Sequence, residues 1–318
     1  MPGFVTHYLF GLDAYRQIHS ESIRQNLHKN HSAFALGLQG PDIFFFYLPS
    51  YLLHGQNMGD LAHREKTQLF YSNLLKSRML FEGNRRKQAI ADAYITGFLG
   101  HYTLDCIVHP YVYAFTGYDP QNPPSNSTYF GQHAYLESEI DKELLFMKKG
   151  VKPSRFHQSS TVFLTLQQRM VISQMLTYAF RHTYPALLIH PIVISNATRW
   201  MRFSIHLMRD TSGQKKVLMR LGEKFLFHRP FISAMIASDH HQFVPDCMNY
   251  KHKKWTHPWT NKVSDESFLD LYQHAFTLYC HRIHEYYTLL ARGFTPEVHA
   301  ALLRSYGNRS FLSGEEII

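Results

Sequence analysis

Partway along this chain the residues run His101-x-x-x-Asp105-x-x-x-His109, and further on His133-x-x-x-Glu137. A helix returns to nearly the same face at every fourth residue. Both stretches therefore line up their imidazoles and carboxylates only if they are helical. The first stripe runs through a segment otherwise rich in Ile, Phe, Leu and Val, so its polar groups face a core. Burying such groups without partners costs several kcal/mol each. Either a hydrogen-bonded network satisfies them, or a divalent cation does. Two neighbouring helices would bring five nitrogen and oxygen donors to one place, and donors of that kind suit zinc.

The rest of the chain reads as helical too. Asp13 is placed to cap a helix running to about Asn30, and Asp60 to cap one over roughly Leu61–Phe81, closed by Gly83. A long apolar helix is expected over about Lys87–Tyr113. Gly117–Ser127, with three prolines, reads as a loop. Further helices are expected over 131–149, 159–183, 187–209, 214–227, 267–292 and 296–305. Ser238–Ser267, rich in His, Pro and Trp, reads as irregular. Alternating strand patterns with hairpin turns are missing. The expected fold is all-α, one domain over 1–318. Its metal-site half covers about 1–149, and additional helices cover about 150–318.

Composition narrows the class. With 45% hydrophobic and 18% charged residues the chain has the make-up of an ordinary folded protein. The formal charge of +9 favours anionic ligands, whether phosphodiesters, nucleic acid or anionic lipid surfaces; the bland alternative is a surface kept soluble by Lys and Arg. Cys106, Cys247 and Cys280 are odd in number and far apart, which argues against a disulfide framework or a cysteine zinc site. A basic-then-apolar leader and an apolar membrane span are not evident, so the expected location is cytoplasmic.

Most of the 22 histidines must serve other ends. His28, His157 and His299 read as surface or hydrogen-bonded residues, and His240-His241 and His252 to His257 lack ordered spacing. The order His7, Gly40-Pro41-Asp42, His63, His101-x-x-x-Asp105, His109, His133-x-x-x-Glu137 is different. It resembles the zinc-dependent phospholipase C family, which is related to the S1/P1 nucleases and shares their all-helical trinuclear zinc fold. The resemblance covers residues 1 to about 140 well. It thins beyond that, although Trp255-x-x-Pro258-Trp259 followed by a helix also looks like bacterial members.

The resemblance implies a multi-helix phospholipase C/P1 nuclease-like fold with a metal cage between helices, holding two to three zinc ions. Asp42, His63, His101 and Asp105 would hold one ion, and His109, His133 and Glu137 a second, more exchangeable one. His7, a bridging Asp105 and the N-terminal amine and carbonyl would hold the third. His54 competes with His63, which is preferred because it opens a helix. The secreted enzymes begin at a Trp exposed by leader cleavage, whereas this chain begins Met1-Pro2-Gly3; removal of Met1 would make the Pro2 amine the terminal ligand. The step from Asp105 to His109 is also shorter than in the secreted enzymes.

Zinc brings the pKa of a bound water to ~7 and so supplies hydroxide at neutral pH. The activity implied is phosphodiester hydrolysis of phospholipase C type, metal-bound hydroxide attacking phosphorus, with Asp42 as general base or as the group orienting the water. The run Phe44, Phe45, Phe46, Tyr47 would pack against an acyl chain or a base, or belong to the core. The partner is a phospholipid or another phosphodiester, with peripheral contact to an anionic membrane surface. Two alternatives stand beside it. One is a single-strand nuclease, for which the basic clusters Arg85-Arg86-Lys87, Lys148-Lys149-Lys152, Lys215-Lys216 and Lys251-Lys253-Lys254 would track a backbone. The other is a non-catalytic, metal-stabilised binding protein. His284-Glu285 fails as H-E-x-x-H because Thr288 holds the second position, and neither an adjacent His-Asp pair, a P-loop nor a G-x-S-x-G elbow occurs.

Overall fold

A computed structural model describes residues 3–47, 49, 55, 57–122, 126–187, 189–226, 232–239 and 246–317. Fourteen α-helices account for most of them, so the all-α expectation holds. They are α1 Phe4–Gln17, α2 Glu21–Lys29, α3 His31–Gly37, α4 Met58–Arg64, α5 Thr67–Lys76, α6 Arg85–Phe115 and α7 Asn126–Lys149. The second half adds α8 Gln158–Thr161, α9 Leu166–Thr183, α10 Pro191–Met208, α11 Gln214–Leu226, α12 Ile232–Met235, α13 Phe268–Leu290 and α14 Pro296–Tyr306. Among the described residues no helix is long and apolar enough to cross a membrane, and all three cysteines are free.

The organising element is α6. It spans 31 residues, carries Pro110 inside it and is buried on nearly every side from Ile90 to Val112, as an apolar helix at the centre of a large core must be. Helices α3, α9 and α13 pack around it. The approach of α3 is set by Gly37 and Gly97: a Cβ on Gly37 would lie 2.2 Å from the Tyr94 carbonyl oxygen, and one on Gly97 would lie 2.1 Å from that of Phe34. Only glycine lets these two backbones come so close. One contiguous core then runs from Phe4 to Phe311. Its aromatic content shows in the stack of Tyr71, Tyr306 and Tyr102, with centroids 3.5 and 3.8 Å apart.

Several boundaries move. Asp13 caps nothing. It lies inside α1, where its carboxylate accepts hydrogen bonds from Lys148 and Tyr272, and the expected single helix to Asn30 breaks at extended Ile18 and Ser20. Asp60 is likewise inside a helix: the cap is Asn57, whose side chain accepts from the Gly59 and Asp60 amides. Glu65, extended, and Lys66, left-handed at φ 55°, break the expected 61–81 helix into α4 and α5, and a 3-10 turn, Ser77–Phe81, follows. Thr165 starts α9 with a reciprocal capping box, so the expected 159–183 helix is two pieces. The helix after the Pro-rich loop begins earlier than expected, at Asn126. Within the His- and Trp-rich stretch, Trp255–Thr256 and Val263–Ser264 pair as a two-residue antiparallel ribbon, and a single antiparallel bridge joins Arg309 to Glu316. Pro2, His54 and His240-His241 lie outside the described residues.

Candidate metal centre

Five elements deliver side chains to one buried place. His7 comes from α1, Asp42 from the 3-10 turn Gly40–Phe44, His63 from α4, His101, Asp105 and His109 from α6, and His133 and Glu137 from α7. All eight are buried. Three groups form with ligand-capable atoms close enough to share an ion: His7, His101 and Asp105; Asp42, His63 and His101; and His109, His133 and Glu137. The sequence expectation that His63 opens its helix is corrected. It sits in the last turn of α4, aimed inward by a hydrogen bond from its Nδ1 to the Gly59 carbonyl at 2.7 Å.

Asp105 is the hinge between the first two groups. Its Oδ2 lies 3.2 Å from His101 Nε2 and 3.7 Å from His63 Nε2, while Oδ1 lies 3.1 Å from His7 Nε2. One carboxylate thus faces two imidazole sets with different oxygens, which is what a bridging ligand requires. His101 offers only Nε2, so it can serve one of its two groups but not both. In the third group His133 Nε2 is 2.7 Å and His109 Nε2 3.6 Å from Glu137 Oε1.

The test of whether a cation belongs here lies in the ring nitrogens turned away from the centre. His101 Nδ1 donates to the Leu38 carbonyl, His63 Nδ1 to that of Gly59 and His109 Nδ1 to that of Phe311. Each bond keeps the proton on Nδ1 and leaves the Nε2 lone pair pointing inward, as metal-binding histidines are held. His63 and His101 then bring two Nε2 atoms within 3.4 Å of each other, lone pair against lone pair. Both Asp42 carboxylate oxygens and both His7 nitrogens are buried without a hydrogen bond. A hydrogen-bonded network among these residues would leave those atoms unsatisfied at real cost; a cation among them would satisfy the Asp42 carboxylate and His7 Nε2, the nitrogen that faces Asp105. The donor set fits zinc.

Protonation follows the same logic. Burial drives the His101 imidazole well below its ordinary value and lowers His133 as well, so both rings present lone pairs near neutral pH. Burial alone would raise Asp105 and Glu137, but surrounding imidazoles outweigh it: His101 and His109 hold Asp105 well below the carboxylate range, and His133 holds Glu137 at about 2. Burial pushes Asp42 up to about 6. Burial alone would lower His109, but Asp105 and Glu137 outweigh it and raise it; a divalent ion binds neutral imidazoles and ionised carboxylates, so loading the site releases any proton held there.

Packing enforces the geometry. Gly40 has φ +50°, and a Cβ there would lie 2.1 Å from the His101 ring, so glycine is needed for both backbone and space. Asp141, one further four-residue step beyond Glu137, accepts from the Val5 amide and from the Thr6 amide and hydroxyl. It caps α1 from another helix and thereby fixes His7 against α7. The stripe His133-x-x-x-Glu137-x-x-x-Asp141 was visible in the sequence and could have exposed this residue. Nothing comparable announces the Leu38, Gly59 and Phe311 carbonyls, because backbone groups leave no residue signature. Of the aromatic run, Phe44 is core and Phe46 borders a cleft beside Glu137, while the Phe45 ring lies 5.7 Å from His63. Trp259 packs edge-on to Tyr113, whose ring is 4.9 Å from that of His133.

An all-helical protein with clustered imidazoles and carboxylates from five elements belongs to the class of helical proteins built around a metal cage. The family follows from comparison. The family model described as zinc dependent phospholipase C matches residues 6–185, more than half of the chain, and the chain belongs to that family. Comparison with curated proteins and with solved structures gave no match.

Proposed function

We propose that this protein is a phospholipase C-type phosphodiester hydrolase whose eight clustered ligands hold two to three zinc ions. The reading rests on family membership and, above all, on the three buried ligand groups, two of which share His101. His7, Asp42, His63, His101 and Asp105 would form one multinuclear set, and His109, His133 and Glu137 the neighbouring site. When bound, zinc supplies a Lewis acid for the phosphate and lowers the pKa of water.

The chain's own residues do the remainder. Asp42 directs Oδ1 toward His63 Nε2 at 3.3 Å and keeps Oδ2 to take the proton of the attacking water. The new bond joins that oxygen to phosphorus, the bond to the alcohol oxygen breaks with its electron pair on that oxygen, the proton taken by Asp42 or one from solvent water neutralises it, and the products are an alcohol and a phosphomonoester. The cleft that opens beside Glu137 is lined by Phe4, Phe46, Phe156 and Met208, with Arg209, Asp141 and Asp210 also in its lining. An apolar wall and one cation suit a substrate whose phosphate enters the cage while its alcohol carries apolar bulk, so a phospholipid is the favoured substrate class.

The test couples metal content to turnover. Elemental analysis should find about two to three zinc ions per chain, the number a multinuclear phosphoesterase site requires, and the protein should release phosphomonoester from a phosphatidylcholine analogue faster than it cleaves a single-stranded oligonucleotide. The double variant His101→Ala/Glu137→Ala should lose at least about a thousandfold in turnover, as removal of essential catalytic parts does. Oligonucleotide cleavage without lipid hydrolysis would replace the reading with the nuclease, and bound zinc without any turnover would leave a metal-stabilised binding protein.

A further inference from the structure

Helix α11 faces the wrong way for a surface helix. Its side chains Val217, Leu218, Leu221 and Phe225 share one face and are 55, 68, 60 and 87% exposed, while Lys216 and Glu223 are each only 4% exposed. A helix on a soluble core ordinarily does the reverse. The inversion is pinned by specific bonds. The Glu223 carboxylate accepts from the Ile232 and Ser233 amides and the Ser233 hydroxyl, and the Lys216 ammonium stands 5.2 Å over the Tyr135 ring. Turning the helix over would break all of these.

The apolar face continues into a basic one. Lys215 Nζ donates to the Leu207 and Arg209 carbonyls, which seats α11 against the end of α10, where Phe203 and Leu207 are exposed. Phe203 borders a pocket that also contains Arg169, Arg199 and Arg202 and, among the described residues, no carboxylate. Arg169 Nε is buried without a hydrogen bond, and the Arg202 guanidinium lies 4.3 Å over the Phe163 ring. The α10 sequence contains no acid, the one acid of α11 is the inward Glu223, and Arg220 and Lys224 flank the exposed face. Guanidiniums gathered without a counter-charge are a phosphate site in search of an anion.

We propose that this face docks the protein onto bilayers containing anionic phospholipid. Val217, Leu218, Leu221 and Phe225 enter the interface, and the three arginines take lipid phosphates. A second copy of the chain would set cations against cations across the same surface, whereas an anionic bilayer neutralises them and covers the apolar face at once. The arginine pocket shares Ser159 and His206 with the cleft beside Glu137, so the docked face adjoins the mouth of the candidate site. Only that purpose for the docking rests on the phospholipase reading; the surface itself does not.

Co-sedimentation of the zinc-loaded full chain with extruded vesicles tests the proposal. Wild-type binding should rise when phosphatidylglycerol is added to phosphatidylcholine and fall at high salt. The variant L218Q/L221Q/F225Q should bind at least about tenfold more weakly, and R199Q/R202Q should lose the salt-dependent part, while both keep wild-type zinc content and hydrolysis of a water-soluble phosphodiester. Vesicle binding that is absent, or unchanged in both variants, overturns the proposal. A dimer that L218Q/L221Q/F225Q converts to monomer overturns it in favour of self-association, and inorganic phosphate held at the arginines without vesicle binding makes them a free-phosphate site. Vesicle binding without hydrolysis would sink the catalytic reading and leave the docking face standing.

Discussion

Gly40 shows how one residue can shape a candidate metal site without offering a ligand. Its left-handed backbone turns the chain into the 3-10 segment that aims Asp42, and its missing side chain makes room for the His101 ring. Gly40→Ala should strain the backbone and push His101 off its Leu38 carbonyl. Losing such a positioning contact typically costs about 10- to 100-fold in metal affinity, measurable by zinc titration against a competing chelator, with stability falling by about 1–3 kcal/mol. Zinc affinity equal to wild type would show that His101 is placed by something other than this turn. At the same scale, the inward Nε2 atoms of His63, His101 and His109 depend on three backbone carbonyls, from Leu38 just past α3, from Gly59 in α4 and from Phe311, which is why the ligands alone understate the site.

At the scale of the element, α1 is held by a cap it does not own. No side chain within α1 caps its start; Asp141 of α7 does so instead. Burial pushes the Asp141 carboxyl up from its ordinary value of 3.8 to about 6. A folded-state pKa raised in this way contributes stability that is fully present below about pH 4 and lost as the pH rises through about 6. Asp42, also raised to about 6, adds a slope in the same window, so Asp141→Asn should reduce rather than abolish it, seen in metal-free chemical denaturation at pH 4.5 and 7, set by that window. The substitution also places an amide donor against a backbone N–H, which costs about 1–3 kcal/mol and loosens His7. A wild-type pH slope surviving in the variant would assign it to another group.

For the whole molecule, the buried donors of five elements and the continuous core from Phe4 to Phe311 tie metal binding to folding. We propose that residues 1–318 fold as one unit around the site. Removing metal should then lower the melting temperature by on the order of 10 °C, the shift expected when a ligand held far above its dissociation constant is withdrawn. A scanning calorimeter should record one transition that moves as a whole; a metal-sensitive transition beside an insensitive one would divide the chain into two units. Phe311 explains why one transition is expected: its carbonyl holds His109, and its ring lies 4.9 Å from that of His63, so the end of the chain completes a site begun at His7.

Local periodicity was enough to read α6 and the His133–Glu137 stripe, because helical spacing is written directly in the order of residues. The residues at positions 7, 42 and 63 were legible through the family resemblance rather than through spacing, and the placement of the third in the last turn of its helix was not. Helix starts were misread where an upstream Asn or a capping residue from another helix outcompeted the nearest Asp. Only tertiary structure decided which oxygen of Asp105 faces which imidazole, which carbonyls fix the ring tautomers, and that α11 turns its apolar side outward. Those features join groups up to 202 residues apart in the chain, and a linear pattern carries no information about pairs whose separation is set by how helices pack.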